Sequence, residues 1–438
     1  MSVGEIDSKK FWEVANNKLA FFGAQFVQEI IVRSEGVYVY TNEGKKILDF
    51  TSGQMSCLVG HCHPEINKTI AESAATLDHT LSGMISPPVV DLAEKLTNLL
   101  PEGLDRVAFL STGGESNEFA IKLAKCVTGN FEVVGLSLSW HGMTAAANAC
   151  TYQAGRTGHG PMTPGSLVLP SPNAYRSIFR NPDGSYDWKT ELEYGWSLVD
   201  AQSTGSLACV IIEPVMSSGG MLILPDGYLK EMKKHCERRG ILLIVDEAQT
   251  GVGRCGSMFA IEEMGVTPDI LCLSKTLGNG LPLSAVITSE EIDNKGRERD
   301  FLFYTTHVND PIPAAVGSKV LDIVVRDNLV ANSKARGKQL GDGLVRMMDN
   351  FKAIGDVRQM GLMVGLEIVK DRATKESDPD KAALLAKVMM KHGLNANLIA
   401  VKAFGGVFRM APPISISESE VDEALAIIET SFEEVYYH

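Results

Sequence analysis

Between residues 65 and 325 the chain alternates short apolar runs with helical patterns, and this restricts its fold more than any other feature. The runs lie at 106–110, 132–136, 208–213, 241–245, 270–273 and 285–288, with amphipathic stretches such as 227–239 between them. Strands buried on both faces read as continuous apolar runs, and helical crossovers between them make neighbouring strands parallel. The spacing therefore predicts an α/β chain with a mostly parallel sheet covered on both faces. Sheets of this kind gather ligands at the carboxyl ends of their strands, so the residues just after each run carry the functional information.

The flanks follow a different pattern. Residues 1–60 contain a helical stretch at 8–22 and a hairpin signal, 37–40 and 46–50 around Asn42-Glu43-Gly44. After residue 325 come a long helix at 328–351, a strand at 362–369, a helix at 381–392 and two short strands at 397–401 and 407–410. Ser417 and Glu420 then form a capping box that opens the last helix. The expected division is a large domain at 61–325, a smaller α+β domain at 326–438, and an N-terminal segment at 1–60 that joins the smaller one. The Gly-, Pro-, Ser- and Asn-rich stretch 155–187 reads as a long surface excursion over the site.

Composition narrows the partners. With 41 basic and 54 acidic residues among 438, the formal net charge is −13 without long single-sign blocks, which argues against nucleic acid and anionic membranes. The start lacks a basic, apolar leader pattern, and no apolar run reaches spanning length, so a cytoplasmic protein is expected. Eight scattered cysteines without a Cys-x-x-Cys pattern fit reduced thiols. His61-Cys62-His63 supplies too few ligands for a metal site, and Pro64 makes a helix start the better reading.

Chemistry enters at the strand ends. The run 270–273 delivers Lys275 into a Ser/Thr/Gly-rich turn, and 241–245 ends on Asp246. A lone lysine in such a place is usually solvated, and a lone aspartate usually caps a helix. Together they are the pair a pyridoxal phosphate enzyme needs, one to take the aldehyde as a Schiff base and one to keep the pyridine nitrogen protonated. Ser111-Thr112-Gly113-Gly114-Glu115-Ser116-Asn117 follows a strand and opens a helix, where exposed N–H groups can hold a phosphate. Trp140, after another strand, could stack on a flat ring or simply fill core. Glu213-Pro214-Val215-Met216-Ser217-Ser218 ends a strand in a polar loop. Arg409 lies in an apolar strand and needs an anion, either a substrate carboxylate or a structural acid.

Four motifs, Ser-Thr-Gly-Gly-Glu-Ser-Asn, Ser-Trp-His-Gly-Met, Asp-Glu-Ala-Gln-Thr-Gly-Val-Gly-Arg and Leu-Ser-Lys-Thr-Leu-Gly, resemble those of the class III aminotransferases of PLP fold type I, along nearly the whole chain. Within that class the stretches 50–56, 81–84, 303–308 and 406–409 are most similar to the 2,2-dialkylglycine decarboxylases. The resemblance implies decarboxylating transamination: a dialkylglycine such as 2-aminoisobutyrate leaves as CO2 and a ketone, and pyruvate takes the nitrogen to become alanine. It makes Lys275 the Schiff-base lysine and proton carrier, Asp246 the pyridinium partner, Gln249 the partner of the ring hydroxyl and Trp140 the stacking ring. Thr112, Gly113 and Gly114 would hold the phosphate of pyridoxal 5'-phosphate, joined by Thr306 from a neighbouring subunit, which implies a homodimer that can pair into a tetramer.

Carried over in the same way, Gln54 receives the departing carboxylate, Arg409 and Ser218 hold the keto acid carboxylate, and Met55 and Trp140 bound a small alkyl pocket. An alkali metal site (K+ or Na+) is implied at Thr80, Ser82, Thr306, Val308 and Asp310, with Thr80 where the family usually has leucine. The chain departs from the family pattern at 400–404, where Lys402 adds a cation, and has Gly114 where alanine is common. Two other outcomes stay open: an ω-aminotransferase that removes a proton from a terminal amine instead of CO2, and a cofactor-binding scaffold without catalysis.

Overall fold

The computed structural model describes residues 6–401 and 404–437, so Lys402 lies outside the described residues. A seven-stranded sheet forms the centre, in the order Arg106–Leu110, Ser284–Thr288, Ile270–Leu273, Leu242–Asp246, Leu207–Ile212, Glu132–Leu136 and Ser166–Leu169. Ser284–Thr288 runs antiparallel to both its neighbours, and the remaining strands share one direction. Helices such as Gly113–Thr128 and Tyr228–Arg239 connect them, and the middle strands are buried along nearly their whole length. Continuous apolar sequence thus marks burial on both faces.

Register sets up the site. Asp246 pairs with Cys272 across parallel neighbouring strands. Lys275 comes three residues after Cys272, so acid and lysine emerge at the same edge of the sheet.

The excursion 155–187 is not all loop. Its four residues Ser166–Leu169 pair in parallel with Glu132–Leu136 and form the sheet's last strand. A four-residue apolar run between turn residues gives too short a period to stand out as a strand. The first helix spans Ser8–Lys18, shorter than expected, because Leu19 is already extended.

A second sheet is antiparallel, in the order Ile354–Met360, Met363–Asp371, Gly405–Met410 and Asn397–Val401. A third takes Ile31–Glu35, Tyr38–Thr41 and Lys46–Asp49 from the N-terminal segment and adds Leu394–Asn395 in parallel. The strand Ile31–Glu35 was hidden by its polar residues, since it is buried on neither face. At Glu418–Tyr436 the expected capping box is present: the Ser417 hydroxyl accepts from the Glu420 N–H, and the Glu420 carboxylate accepts from the Ser417 N–H. All eight cysteines are free. Among the described residues no helix is long and apolar enough to cross a membrane.

Candidate active site

A cavity of about 340 Å³ opens at the carboxyl ends of the central strands, lined by Thr112, Gly113, Gly114, Trp140, Asp246, Gln249 and Lys275 among others. Asp246 forms part of its wall and is buried with its oxygens spoken for. Oδ2 accepts from Asn117 Nδ2 at 2.7 Å and meets His141 Nδ1 at 2.9 Å, while Oδ1 accepts from the Ala248 N–H at 3.0 Å. Asn117 also donates to the His141 carbonyl, tying the two donors together. Sequence reasoning did not single out Asn117 or His141. Both stand inside quoted motifs, but their convergence on Asp246 is a tertiary fact.

Lys275 opens a single 3-10 turn, Lys275–Leu277, at a φ of 25°, a conformation side chains rarely adopt. Burial pulls its ammonium below the ordinary lysine value, Asp246 and Glu213 pull it back, and Arg409 pushes the same way as burial. An amine displaced in this direction is the better nucleophile toward an aldehyde and the better proton carrier. Glu213, at the end of Leu207–Ile212, is a second buried acid on this wall. It accepts the Trp140 N–H at 2.8 Å, which anchors the tryptophan's backbone. Burial lifts the Glu213 carboxyl to about 7, against the pull of His141 and with Asp246 adding to the rise.

The helix Gly113–Thr128 begins at the cavity rim. Thr112 caps it: its hydroxyl accepts from the Glu115 N–H, and its own N–H donates to the Glu115 carboxylate. Thr112 N–H is therefore spent locally, and the free donors of the first turn belong to Gly113 and Gly114. The backbone around Gly142 packs directly on this turn. A Cβ at Gly142, whose φ is +127°, would sit 2.6 Å from the Gly114 Cα, so that position requires glycine.

A second cavity of about 310 Å³ shares Gln54, Trp140, Gln249 and Lys275 with the first and adds Met55, Ser218, Asn397 and Arg409. Arg409 is buried, yet among the described residues it forms no ion pair. Its Nη1 donates to the Ser217 and Ser218 hydroxyls, each at 3.3 Å, and its Nε and Nη2 donate to Asn397 Oδ1 at 3.2 and 3.0 Å. Burial draws its pKa down to about 10, with Glu213 acting the other way. The structural acid considered as an alternative partner is absent from the described residues.

Gln54 and Met55 sit on a tight loop in which Ser52, Gly53 and Met55 all have positive φ. Asp49 holds that loop by accepting from the Thr51 N–H at 3.1 Å and the Gly53 N–H at 2.7 Å. The same carboxylate accepts from Asn395 Nδ2 at 3.0 Å and meets His61 Nε2 at 2.8 Å. Burial alone would lower the His61 pKa, but hydrogen bonds with Asp49 and Cys57 lift it to about 10. His63 caps the helix Pro64–Thr76 through Nδ1, which agrees with a helix start at this place.

The remaining expected site residues lie elsewhere. Thr306 is exposed on a turn outside both cavities of this chain. Thr80, Ser82, Val308 and Asp310 also lie outside them. Ser82 Oγ is 3.5 Å from the Thr305 carbonyl oxygen. The two carboxylate oxygens of Asp310 meet His79 Nδ1 at 2.7 Å and His307 Nδ1 at 2.5 Å, so imidazoles already engage the one charged ligand expected for an alkali ion.

The profile of the class III aminotransferases matches residues 23–432. The chain belongs to that family. An uncharacterised aminotransferase of Schizosaccharomyces pombe is 48% identical over 97% of this chain and 95% of its own length. A probable 4-aminobutyrate aminotransferase of Bacillus subtilis is 32% identical over 92% of each. The solved structure of an (S)-enantioselective ω-transaminase from Thermomicrobium roseum superposes with a TM-score of 0.89 at 30% identity, over 98% of this chain and 99% of that one. This aminotransferase therefore has PLP fold type I and is an enzyme of the pyridoxal-phosphate-dependent class. The comparisons support the class and not the narrower dialkylglycine decarboxylase.

The residues present suit such a cofactor. Asp246 offers a buried carboxylate to a ring nitrogen, Gly113 and Gly114 offer free N–H groups to a phosphate, and Lys275 offers an amine to an aldehyde. Gln249 Oε1 is buried without a hydrogen-bond partner among the described residues, which leaves it for a ring hydroxyl.

Proposed function

We propose that this aminotransferase moves an amino group from a small amine donor to a keto acid such as pyruvate, in the manner of an ω-aminotransferase, without loss of CO2. The observation that carries this reading is Arg409: a buried guanidinium without an acid partner among the described residues, lining the cavity that Lys275 enters. A buried cation of this kind is costly until an anion meets it, and the planar fork of arginine matches a carboxylate. Pyridoxal 5'-phosphate, when bound, supplies an aldehyde for the amino group and a ring that draws electrons from the bonds at Cα.

In this reading Asp246, oriented by its hydrogen-bond donors, would hold a proton on the ring nitrogen. Gln249 would meet the ring hydroxyl, Trp140 would offer its indole to the ring, and Gly113 and Gly114 would hold the phosphate, with Thr112 fixing their turn. Lys275 Nζ would take the proton leaving the donor Cα in one half-reaction and deliver a proton to the former keto carbon of the acceptor in the other. Arg409 and Ser218 orient the acceptor carboxylate, and Met55 limits the alkyl space. Thr306 would reach the phosphate only from a neighbouring subunit, so the reading includes a homodimer.

A second reading, decarboxylating transamination of a 2,2-dialkylglycine, is favoured by Gln54, which lines both cavities from its clamped loop. There Gln54 would direct a carboxylate into the leaving position. An alkali ion at Thr80, Ser82, Thr306, Val308 and Asp310 belongs to that reading and is supported by the resemblance. Incubation with pyruvate and a panel of primary amines and 2-aminoisobutyrate, with alanine and CO2 measured separately, decides. Alanine formation from primary amines without gas supports the first reading. Equimolar CO2 and alanine from 2-aminoisobutyrate, abolished by Gln54→Ala, replaces it with the second.

A further inference from the structure

Arg409 and Asn397 face each other as register partners on adjacent antiparallel strands, so their contact is fixed by the sheet. The guanidinium has only donors, and this orients the amide: Oδ1 must point at Nε and Nη2. Every hydrogen-bond acceptor of Arg409 among the described residues is neutral: one amide and two hydroxyls. The acid whose field reaches it, Glu213, is engaged with the Trp140 N–H and forms no ion pair with it.

We propose that Asn397 is a specificity-determining residue of the aminotransferase, which fixes the Arg409 guanidinium through a neutral oxygen and so reserves its charge for the carboxylate of the substrate. This deepens the function proposed above and rests on it. Asn397 is nearly isosteric with aspartate, and the side chain at that position therefore sets whether the cavity presents a cation or a self-neutralised pair. With asparagine, a substrate carboxylate is the first anion to meet Arg409. With aspartate, an internal counter-ion at the same 3.0 Å contact would compete with it. Serines at 217 and 218 keep the other edge equally free of negative charge. No sequence signal marks Asn397 apart from its place opposite an arginine that is itself twelve residues away.

The test uses the holoenzyme and two readouts. One is calorimetric affinity for propionate, a carboxylate that cannot react. The other is the single-turnover rate with 1-phenylethylamine, which has no carboxylate. Asn397→Asp is expected to weaken propionate binding and raise the pyruvate KM by roughly ten- to a hundredfold, the range that hydrogen bonds to charged groups command. The amine half-reaction, whose donor carries no carboxylate, should lose clearly less than propionate binding does. Unchanged propionate affinity in Asn397→Asp overturns the inference, as does an equal loss in both readouts. Asn397→Leu covers the case in which the aspartate variant misfolds. It keeps the arginine's charge but removes its orienting oxygen, so propionate affinity falls by a smaller factor, roughly threefold to tenfold, and by more than the amine step loses. Equal losses there also count against it. Arg409→Gln separates the two levels: if it leaves propionate binding intact, the keto acid site itself is misassigned, whereas binding lost in Arg409→Gln and retained in Asn397→Asp sinks only the role of Asn397.

Discussion

The two walls of the active-site cavity hold their charged groups by opposite means. On the sheet side Asp246 is saturated, with a histidine, an asparagine and a backbone N–H converging on its oxygens. On the other side Arg409 rests on hydroxyls and an amide, two of its contacts stretched to 3.3 Å, with no acid paired to it among the described residues. The difference matches what each wall has to do. A cofactor that remains through every cycle calls for a fixed charge whose environment does not reorganise. A substrate that arrives and leaves calls for a charge that is oriented but not yet neutralised, so that the incoming anion supplies the missing interaction.

Breaking the first wall should have the larger effects. Lys275→Ala removes the amine proposed to bind the aldehyde and carry the proton, and amino transfer measured as alanine formation should fall by at least about a thousandfold. Folding should survive, since the change removes a buried amine and leaves the backbone conformation as it was; a collapsed melting temperature would show that Lys275 is structural. Asp246→Asn keeps the shape but takes the charge from three hydrogen bonds worth ~1.5–3 kcal/mol each. Activity should drop roughly a hundredfold, in the range found for removing one preorganised electrostatic partner. The thermal midpoint should fall too, and an unchanged midpoint would mean that the saturated wall is not a source of stability.

The smallest expected effect concerns Glu213, the second buried acid of the sheet wall. Its folded carboxyl is raised from 4.5 to about 7 by burial, so the folded state favours the protonated form. The stability this contributes is fully present below about pH 4.5 and is lost as the pH rises through about 7. Glu213→Gln keeps an acceptor for the Trp140 N–H but cannot ionise. Melting temperatures followed across that range should therefore decline less steeply in the variant than in the parent chain. Parallel curves would show that Glu213 does not titrate there and that the sheet wall carries no adjustable charge.

Much of the fold was legible because burial on both faces leaves a simple trace. The strands Arg106–Leu110, Glu132–Leu136 and Ile270–Leu273 coincide with their apolar runs, and the loops after them carry the expected residues. Ser166–Leu169 and Ile31–Glu35 were missed because short or edge strands are specified by their neighbours more than by their own pattern. The phosphate turn was legible as a motif, but the spending of the Thr112 N–H on Glu115 was not, since it depends on how the cap closes.

The sequence by itself determined the parts that one segment can encode: a lysine and an acid at the ends of buried strands, a small-residue turn before a helix, an arginine in an apolar strand. Periodicity and turn chemistry act over a few residues, so these parts are readable without a partner. Only the tertiary structure decided which groups surround the two charges. His141 and Asn117 meet Asp246 across more than a hundred residues, and Ser217 and Ser218 meet Arg409 across nearly two hundred. Hydrogen-bond partners at such separations are chosen by strand order and packing, and it is that choice which leaves one charge satisfied and the other waiting for a ligand.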